Sequence, residues 1–254
     1  MERHLFIEET LRNVQSTIMD AFPPTHVTQK EPHEVVTEVD VSTEKTIRKD
    51  IKSAFPTHGI VGEELPTVNP DAEYQWVIDP IDGTTNYSHG IPFFCTAIAL
   101  LHNNKVQCAG VLSPIHDTVW LAKRLQGAWK NGEEILRREP KELRKEVFGF
   151  CHSAKPQAVT YIQQRYAKMK ASLLDVRQFG AANLEICLAA DGNLGGFIGK
   201  NIKPWDFLPG CLIAQEAGLA VQGLQDKHWE TPDQDDVLVC ASNHRDTLKT
   251  VLDI

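Results

Sequence analysis

Between Trp76 and Phe93 the chain reads WVIDPIDGTTNYSHGIPF. A short apolar run closes on two carboxylates, Asp79 and Asp82, with only Pro80 and Ile81 between them. Apolar strands belong inside a sheet, and a charged group is not left there without a partner. A fold for this chain must therefore bring the end of that strand to a place where its acids meet cations or donors. The residues that follow at once, Gly83-Thr84-Thr85-Asn86, are small and rich in donors.

Hydrophobic spacing organises the rest. Leu5, Ile7, Leu11, Val14 and Ile18 predict a helix over the first 20 or so residues. PPTHVTQKEPHE reads as a polar, proline-bearing loop. A second helix is expected to start between Asp40 and Ser42, carried by Ile47, Ile51 and Phe55 and ended by Pro56. GIVGEE and WVID read as strands ending in acids. FFCTAIALL, KVQCAGVLS and TVWLAKR, separated by turn residues, read as an antiparallel meander, with a further turn at Asn131-Gly132. From about Lys141 the pattern alternates: VFGFC, AVTYIQQRYAKMKASL, DVRQFG, AANLEICLAADG, LGGFIG, a helix from Asp206 to Gly218, LAVQG and VLVCAS. The expected organisation is an N-terminal α+β domain over 1–143 and a C-terminal α/β domain over 144–254.

Composition narrows the class. The 254 residues carry a formal net charge of -8, which argues against a nucleic-acid-binding surface. No run approaches the ~18 apolar residues of a membrane span, and the charged N-terminus does not read as a signal peptide, so no membrane association and a cytoplasmic location are expected. None of the six cysteines forms a C-x-x-C pair, which fits reduced, buried thiols rather than a zinc site.

Glu63 and Glu64 end one strand, Asp79 and Asp82 another, and Asp206 opens a helix. Hard divalent cations want such oxygen ligands, and two Mg²⁺ ions about 4 Å apart can hold a phosphate ester and activate water. A helix starting at Gly83-Thr84-Thr85 would turn its backbone N–H groups toward phosphate oxygens. Each feature has a plainer reading: Asp-Gly is a common turn, and Asp206 is a natural helix cap. Only their combination is specific.

Taken together, WVIDPIDGTTNYSHGIPF, KPWDFLPGCLIAQEAG, VVTEVDVSTEKTI, IVGEE, GAWKNGEEI and RQFGAANLEICLAADG resemble, in order and spacing, the inositol monophosphatase family of lithium-sensitive, Mg²⁺-dependent phosphatases, in its bacterial form. The resemblance covers nearly the whole chain. It implies an α/β fold, the layered αβαβα sandwich of the inositol monophosphatase and fructose-1,6-bisphosphatase type, and a homodimer. It implies two to three Mg²⁺ ions: one on Glu63, Asp79 and the Ile81 carbonyl, one on Asp79, Asp82 and Asp206, and a weaker one on Glu63 and waters. Thr84, bonded to Asp40, would direct the attacking water, with Glu63 in the catalytic set. The substrate would meet Asp82, Gly83, Thr84, Asn183 and Asp206.

The chain departs from the family pattern where substrates differ. Gly199 stands where inositol-preferring relatives carry a Glu, seven residues before Asp206. Ala181 replaces a small hydroxyl residue, Asn183 an alanine, Leu208 and Pro209 two more alanines, and Gly90 an Arg. Without an acid at 199, inositol hydroxyls should be held loosely, and Gly199→Glu should tighten them; Asn183, Lys200 and Lys203 are the other candidate contacts. Trp76 and Trp205 are expected to pack, and Pro209 to sit in a first helical turn. No GxSxG motif supports a serine nucleophile. The expected activity is a Mg²⁺-dependent phosphomonoesterase on a small phosphorylated polyol or sugar, with inositol monophosphate first. Fructose 1,6-bisphosphate, NADP and 3′-phosphoadenosine 5′-phosphate are the alternatives. A catalytically idle, phospho-ligand-binding regulatory protein is the alternative of another class.

Overall fold

A computed structural model describes residues 2–31, 34–136, 139–224, 228–230 and 235–253. Helix α1 (Arg3–Asp20) buries Phe6, Ile7, Leu11, Val14 and Ile18, while Leu5 is on the exposed side. The segment expected to be a polar loop instead contains an antiparallel hairpin, β1 (Val27–Glu31) and β2 (Glu34–Thr37). The β-branched residues Val27, Thr28, Val35, Val36 and Thr37 explain it; Pro32 and His33 lie outside the described residues. Helix α2 (Glu38–Ala54) starts earlier than its apolar spacing suggested. Thr37 accepts from the N–H groups of Val39 and Asp40, and the Asp40 carboxylate accepts from the Thr37 N–H at 2.9 Å. This reciprocal cap fixes the start.

The larger sheet runs in chain order: β3 (Gly59–Gly62), β4 (Tyr74–Asp82), β5 (Cys95–His102), β6 (Lys105–Ser113), β7 (Thr118–Lys123), β8 (Gly127–Lys130) and β9 (Glu133–Glu134). Strands β3 and β4 are parallel, and every later pairing is antiparallel, which is the expected meander. The short helix α3 (Thr84–Ser88) leaves the end of β4. The remainder comprises β10 (Val147–His152), α4 (Pro156–Ser172), β11 (Asp175–Arg177), α5 (Ala182–Ala190), β12 (Gly196–Lys200), α6 (Pro204–Glu216), β13 (Ala220–Gln222), β14 (Asp236–Cys240) and α7 (Arg245–Leu252). Its five-stranded sheet has the order β11-β10-β12-β14-β13. Helix α7 was not expected; Leu248 and Leu252 are its only buried residues, too sparse a pattern to signal a helix. Because α6 begins at Pro204, Pro209 falls in its second turn and not its first.

Three apolar clusters define five layers. Phe6, Leu11, Ile47 and Ile51 of α1 and α2 pack on Trp76, Ile78, Ile98 and Leu112 of the larger sheet. Its other face, with Val77, Ala97 and Val111, meets Leu184 of α5 and Phe207 and Leu212 of α6, and these also meet Phe197 and Val237 of the smaller sheet. Beyond that sheet, Ile162, Met169 and Leu248 of α4 and α7 cover Phe148, Ile198 and Leu238. The order is therefore α, β, α, β, α. No helix among the described residues is long and apolar enough to cross a membrane.

The seating of α1 is tight at one point. A Cβ on Gly110 of β6 would lie 2.5 Å from Ile7 Cγ2, 2.9 Å from Leu11 Cδ1 and 3.0 Å from Leu121 Cδ2. Gly110→Val should therefore lower stability by about 1–3 kcal/mol through overpacking, read as a lower urea midpoint. An unchanged midpoint would mean that α1 does not pack there.

Candidate functional site

The site grows from a fault in the β4–β5 ladder. Asp79 pairs with Ala97 and Asp82 with Cys95, so three steps on β4 match two on β5. Before this bulge Trp76 and Ile78 face α1 and α2 while Val77 faces α5 and α6. After it Ile81 faces the α1–α2 side, and Asp82 turns toward α5. Strand alternation alone would put Asp79 and Asp82 on opposite faces; one extra residue puts both toward the middle layer. The parallel neighbour β3 brings Glu63 alongside, because Gly62 pairs with Ile78.

Each carboxyl has its own surroundings. Asp79 is buried, and its Oδ1 has no hydrogen-bond partner. Burial, then the charges of Glu63, Asp82 and Asp206, hold its pKa well above the ordinary range. Glu63 is raised likewise by burial and then by Asp206 and Glu64. Asp82 accepts the N–H groups of Ala182 at 2.9 Å and Asn183 at 2.5 Å, at the start of α5. These bonds work against the burial that pushes it up to about 6. Asp206, third residue of α6, accepts the Lys203 N–H at 2.7 Å, so the cap and the site acid coincide. Among the described residues no three His, Cys, Asp or Glu side chains are already closed into coordination geometry. The acids stand near enough to raise one another's pKa, and the orphaned Asp79 oxygen is the kind of buried donor a hard cation would satisfy.

The neighbouring turn holds the other half. Gly83 adopts φ 95°, in the left-handed region, and no side chain caps the start of α3. A Cβ on Gly83 would lie 3.1 Å from Ala181 Cβ and from the Gly180 carbonyl, so glycine is required both for backbone and for space. Thr84 Oγ1 lies 3.0 Å from Asp40 Oδ1 and 2.9 Å from the Ile81 carbonyl, and its single proton can serve one of them at a time. Asp40 is fully buried, and burial pushes its pKa up to about 6 despite bonds from Thr37 and Thr84.

Beyond Asp40, the supporting residues Glu44, Arg48 and Asn86 were not singled out by the sequence. Asp40, Glu44 and Arg48 recur every four residues on α2, and all three are buried. Glu44 accepts the N–H groups of Glu64 at 2.8 Å and Leu65 at 3.2 Å, and Arg48 binds Glu44 at 2.7 Å. Arg48 also donates to the carbonyls of Leu65 and Pro66. One helix thus orients both Thr84 and the segment carrying Glu63. Asn86 of α3 donates to the Phe93 carbonyl at 2.8 Å and the Phe179 carbonyl at 2.6 Å, tying the Gly83 turn to the segment before α5. The spacing of Asp40, Glu44 and Arg48 was visible, but a charged stripe ordinarily reads as a solvated face.

The other candidate contacts are placed as follows in the fold. Asn183 is buried, with its amide spent on the Trp205 carbonyl and the Gly210 N–H, so it has no face for a substrate. Lys200 is ion-paired with Asp236 and lies over Tyr161 of α4, on the far side of β12. Lys203 is exposed before α6. Gly199 faces apolar groups: a Cβ there would lie 2.6 Å from Ile202 Cδ1 and 2.9 Å from Val237 Cγ1. A Glu at 199 would start in that contact, so the expected gain from Gly199→Glu is withdrawn. Trp76 is buried and donates to His58 Nδ1 at 3.0 Å, a packing role as expected.

The chain matches the model of the Inositol monophosphatase family over residues 3–253. It is 34% identical to a protein named Nus factor SuhB from Pseudomonas aeruginosa over 209 residues, 80% of this chain and 77% of that one. Its structure is similar to that of the extragenic suppressor protein suhB from Bartonella henselae, with a TM-score of 0.91 at 26% identity, covering 97% of this chain and 96% of that one. It is also similar to an IMPase from Thermotoga maritima, with a TM-score of 0.89 at 27% identity, covering 100% and 97%.

Beside these acids lies one more buried carboxyl. Glu185 Oε1 accepts the N–H groups of Phe179 at 3.2 Å and Gly180 at 3.0 Å, while Oε2 has no partner. Burial pushes it up to about 8 from an ordinary 4.5. Between those pH values the unfolded chain has lost a proton that the folded chain keeps. Stability therefore falls as pH rises, by at most about 1.4 kcal/mol per pH unit, and this loss levels off above pH 8. Glu185→Gln should flatten the decline of Tm between pH 5 and 8 relative to wild type; parallel declines would contradict this assignment.

Proposed function

The chain belongs to the inositol monophosphatase family, and from that premise we propose that it is a Mg²⁺-dependent phosphomonoesterase acting on a small phosphorylated polyol or sugar, with inositol monophosphate the leading substrate. The observation that carries this reading is the buried, unpartnered Asp79 Oδ1 amid Glu63, Asp82 and Asp206, beside the Thr84–Asp40 pair. In this reading Glu63, Asp79, Asp82, Asp206 and the Ile81 carbonyl are the residues that would hold two to three Mg²⁺ ions. When bound, Mg²⁺ supplies Lewis acidity to the phosphate oxygens and to nearby water. The Gly83 and Thr84 N–H groups bind the phosphate. Thr84 aligns the water, and Asp40, with a pKa near 6, takes up the proton through the Thr84 hydroxyl. Water adds to phosphorus, the ester P–O bond breaks, the leaving alkoxide takes a proton from solvent to give the alcohol, and Asp40 returns its proton to solvent. Glu63 belongs to the catalytic set through the cation it shares.

The same reading includes a homodimer, inhibition by Li⁺, and two domains meeting at the site, with the boundary near residue 143. Fructose 1,6-bisphosphate, NADP and 3′-phosphoadenosine 5′-phosphate are the other substrates to test. A second reading is favoured by the name Nus factor carried by the Pseudomonas aeruginosa relative: a regulatory factor that keeps the fold, with or without turnover.

Phosphate release from these compounds with and without Mg²⁺ separates the two. Asp79→Asn should lower kcat at least 100-fold, about 2.7 kcal/mol of barrier, with the circular dichroism spectrum unchanged. It should also raise the Tm of the metal-free protein, because a repelled buried acid is gone. Near-wild-type turnover in Asp79→Asn would refute the site; no release by wild type from any compound would favour the regulatory reading.

A further inference from the structure

Pro209 lies inside α6 and has no N–H, so the carbonyl four residues before it, that of Trp205, lacks its helical donor. Asn183 Nδ2 donates to that carbonyl at 2.9 Å. The next amide along the helix, Gly210 N–H, donates to Oδ1 of the same side chain at 3.0 Å. Asn183 is 0% exposed, so its amide is sealed into this contact, away from bulk water. Its own backbone N–H donates to Asp82 Oδ2 at 2.5 Å. One residue therefore joins the turn that carries Asp206 to the carboxyl of Asp82. The two helices meet closely here, for a Cβ on Gly210 would lie 3.0 Å from Ile186 Cβ and 3.2 Å from the Asn183 carbonyl.

We propose that Asn183 is a positioning residue: its amide replaces the hydrogen bond that Pro209 removes from α6 and so holds Asp206 in place opposite Asp82. The proposal rests on the reading of Asp82 and Asp206 as members of one cation site. An alanine at 183 would leave the Trp205 carbonyl and the buried Gly210 amide short of partners, which loosens the first turns of α6. An alanine at 209 restores an N–H four residues after Trp205, and the helix then needs no outside donor there. Asn183 and Pro209 are thus a compensating pair.

A double-mutant cycle tests this with wild type, Asn183→Ala, Pro209→Ala and the double variant. The readouts are thermal unfolding of the metal-free protein and calorimetric titration with MgCl₂ alone. Asn183→Ala should lower Tm and weaken Mg²⁺ binding at least fivefold. The same substitution made on Pro209→Ala should change Mg²⁺ affinity less than twofold and cost clearly less in Tm. Equal effects in both backgrounds would overturn the proposal. If Asn183→Ala does not fold, a folded double variant supports the pairing and an unfolded one refutes it. If the pair shows coupling in Tm but not in Mg²⁺ affinity, the contact is structural only and the positioning role fails. Absence of Mg²⁺ binding by wild type would instead sink the cation-site reading, and the positioning role with it, while the Tm cycle would still decide whether Asn183 compensates for Pro209.

Discussion

Several carboxyl groups confined to one poorly solvated space repel one another, and each loses hydration that must be replaced. Glu63, Asp79 and Asp82 all have their pKa pushed up by burial, and Asp206 adds its charge to Glu63 and Asp79. Left to itself, such a cluster would spread apart. The surrounding structure is largely a set of restraints against that. Asp82 is held by the two N–H groups that open α5, Asp206 by the N–H of Lys203, and the Glu63 segment by the buried Glu44–Arg48 pair. Asp79 Oδ1, by contrast, is buried without a hydrogen-bond partner.

The five-layer packing makes those restraints rigid. Strand β4 contributes to two cores, Trp76 and Ile78 to one and Val77 to the other, so its end cannot shift without disturbing both. Helices α5 and α6 fill the space between the two sheets and carry Asn183 and Asp206 on their first turns. The site therefore forms where a bulged strand and two middle-layer helices converge. Helix α2 approaches from the opposite face of the sheet, yet Asp40 still reaches Thr84 at 3.0 Å, because α3 begins just past the strand end. Rigid elements of this kind hold a reactive arrangement more accurately than loops do.

Much of this was legible. Alternation and turn residues marked the meander from Cys95 to Lys123, and the acids at Glu63, Asp79, Asp82 and Asp206 stood out by type and by position at element ends. Less legible were elements decided by few residues. The hairpin at 27–37 hid among prolines and polar residues, and α7 buries only Leu248 and Leu252. Side-chain direction was the main source of error. Gly199 and Lys200 are neighbours on one strand, so they face opposite layers: Gly199 toward Ile202 and Val237, Lys200 toward Asp236 and Tyr161. Gly199 therefore offers no open space for an added acid, and the Lys200 ammonium is turned to an ion pair on the other side.

By itself the sequence determined the kinds of chemical group available and the periodicities that build the elements, because both are local properties of residue type and spacing. It showed that β4 ends in two acids followed by a glycine turn. The tertiary structure alone decided that a one-residue bulge turns both acids to the same face, that Glu44 and Arg48 lie inside rather than in water, and that the amide of Asn183 is consumed beside Pro209. Each of these depends on which distant segments meet, and on the low dielectric where they meet. Residue order alone does not contain that information until the layers have packed.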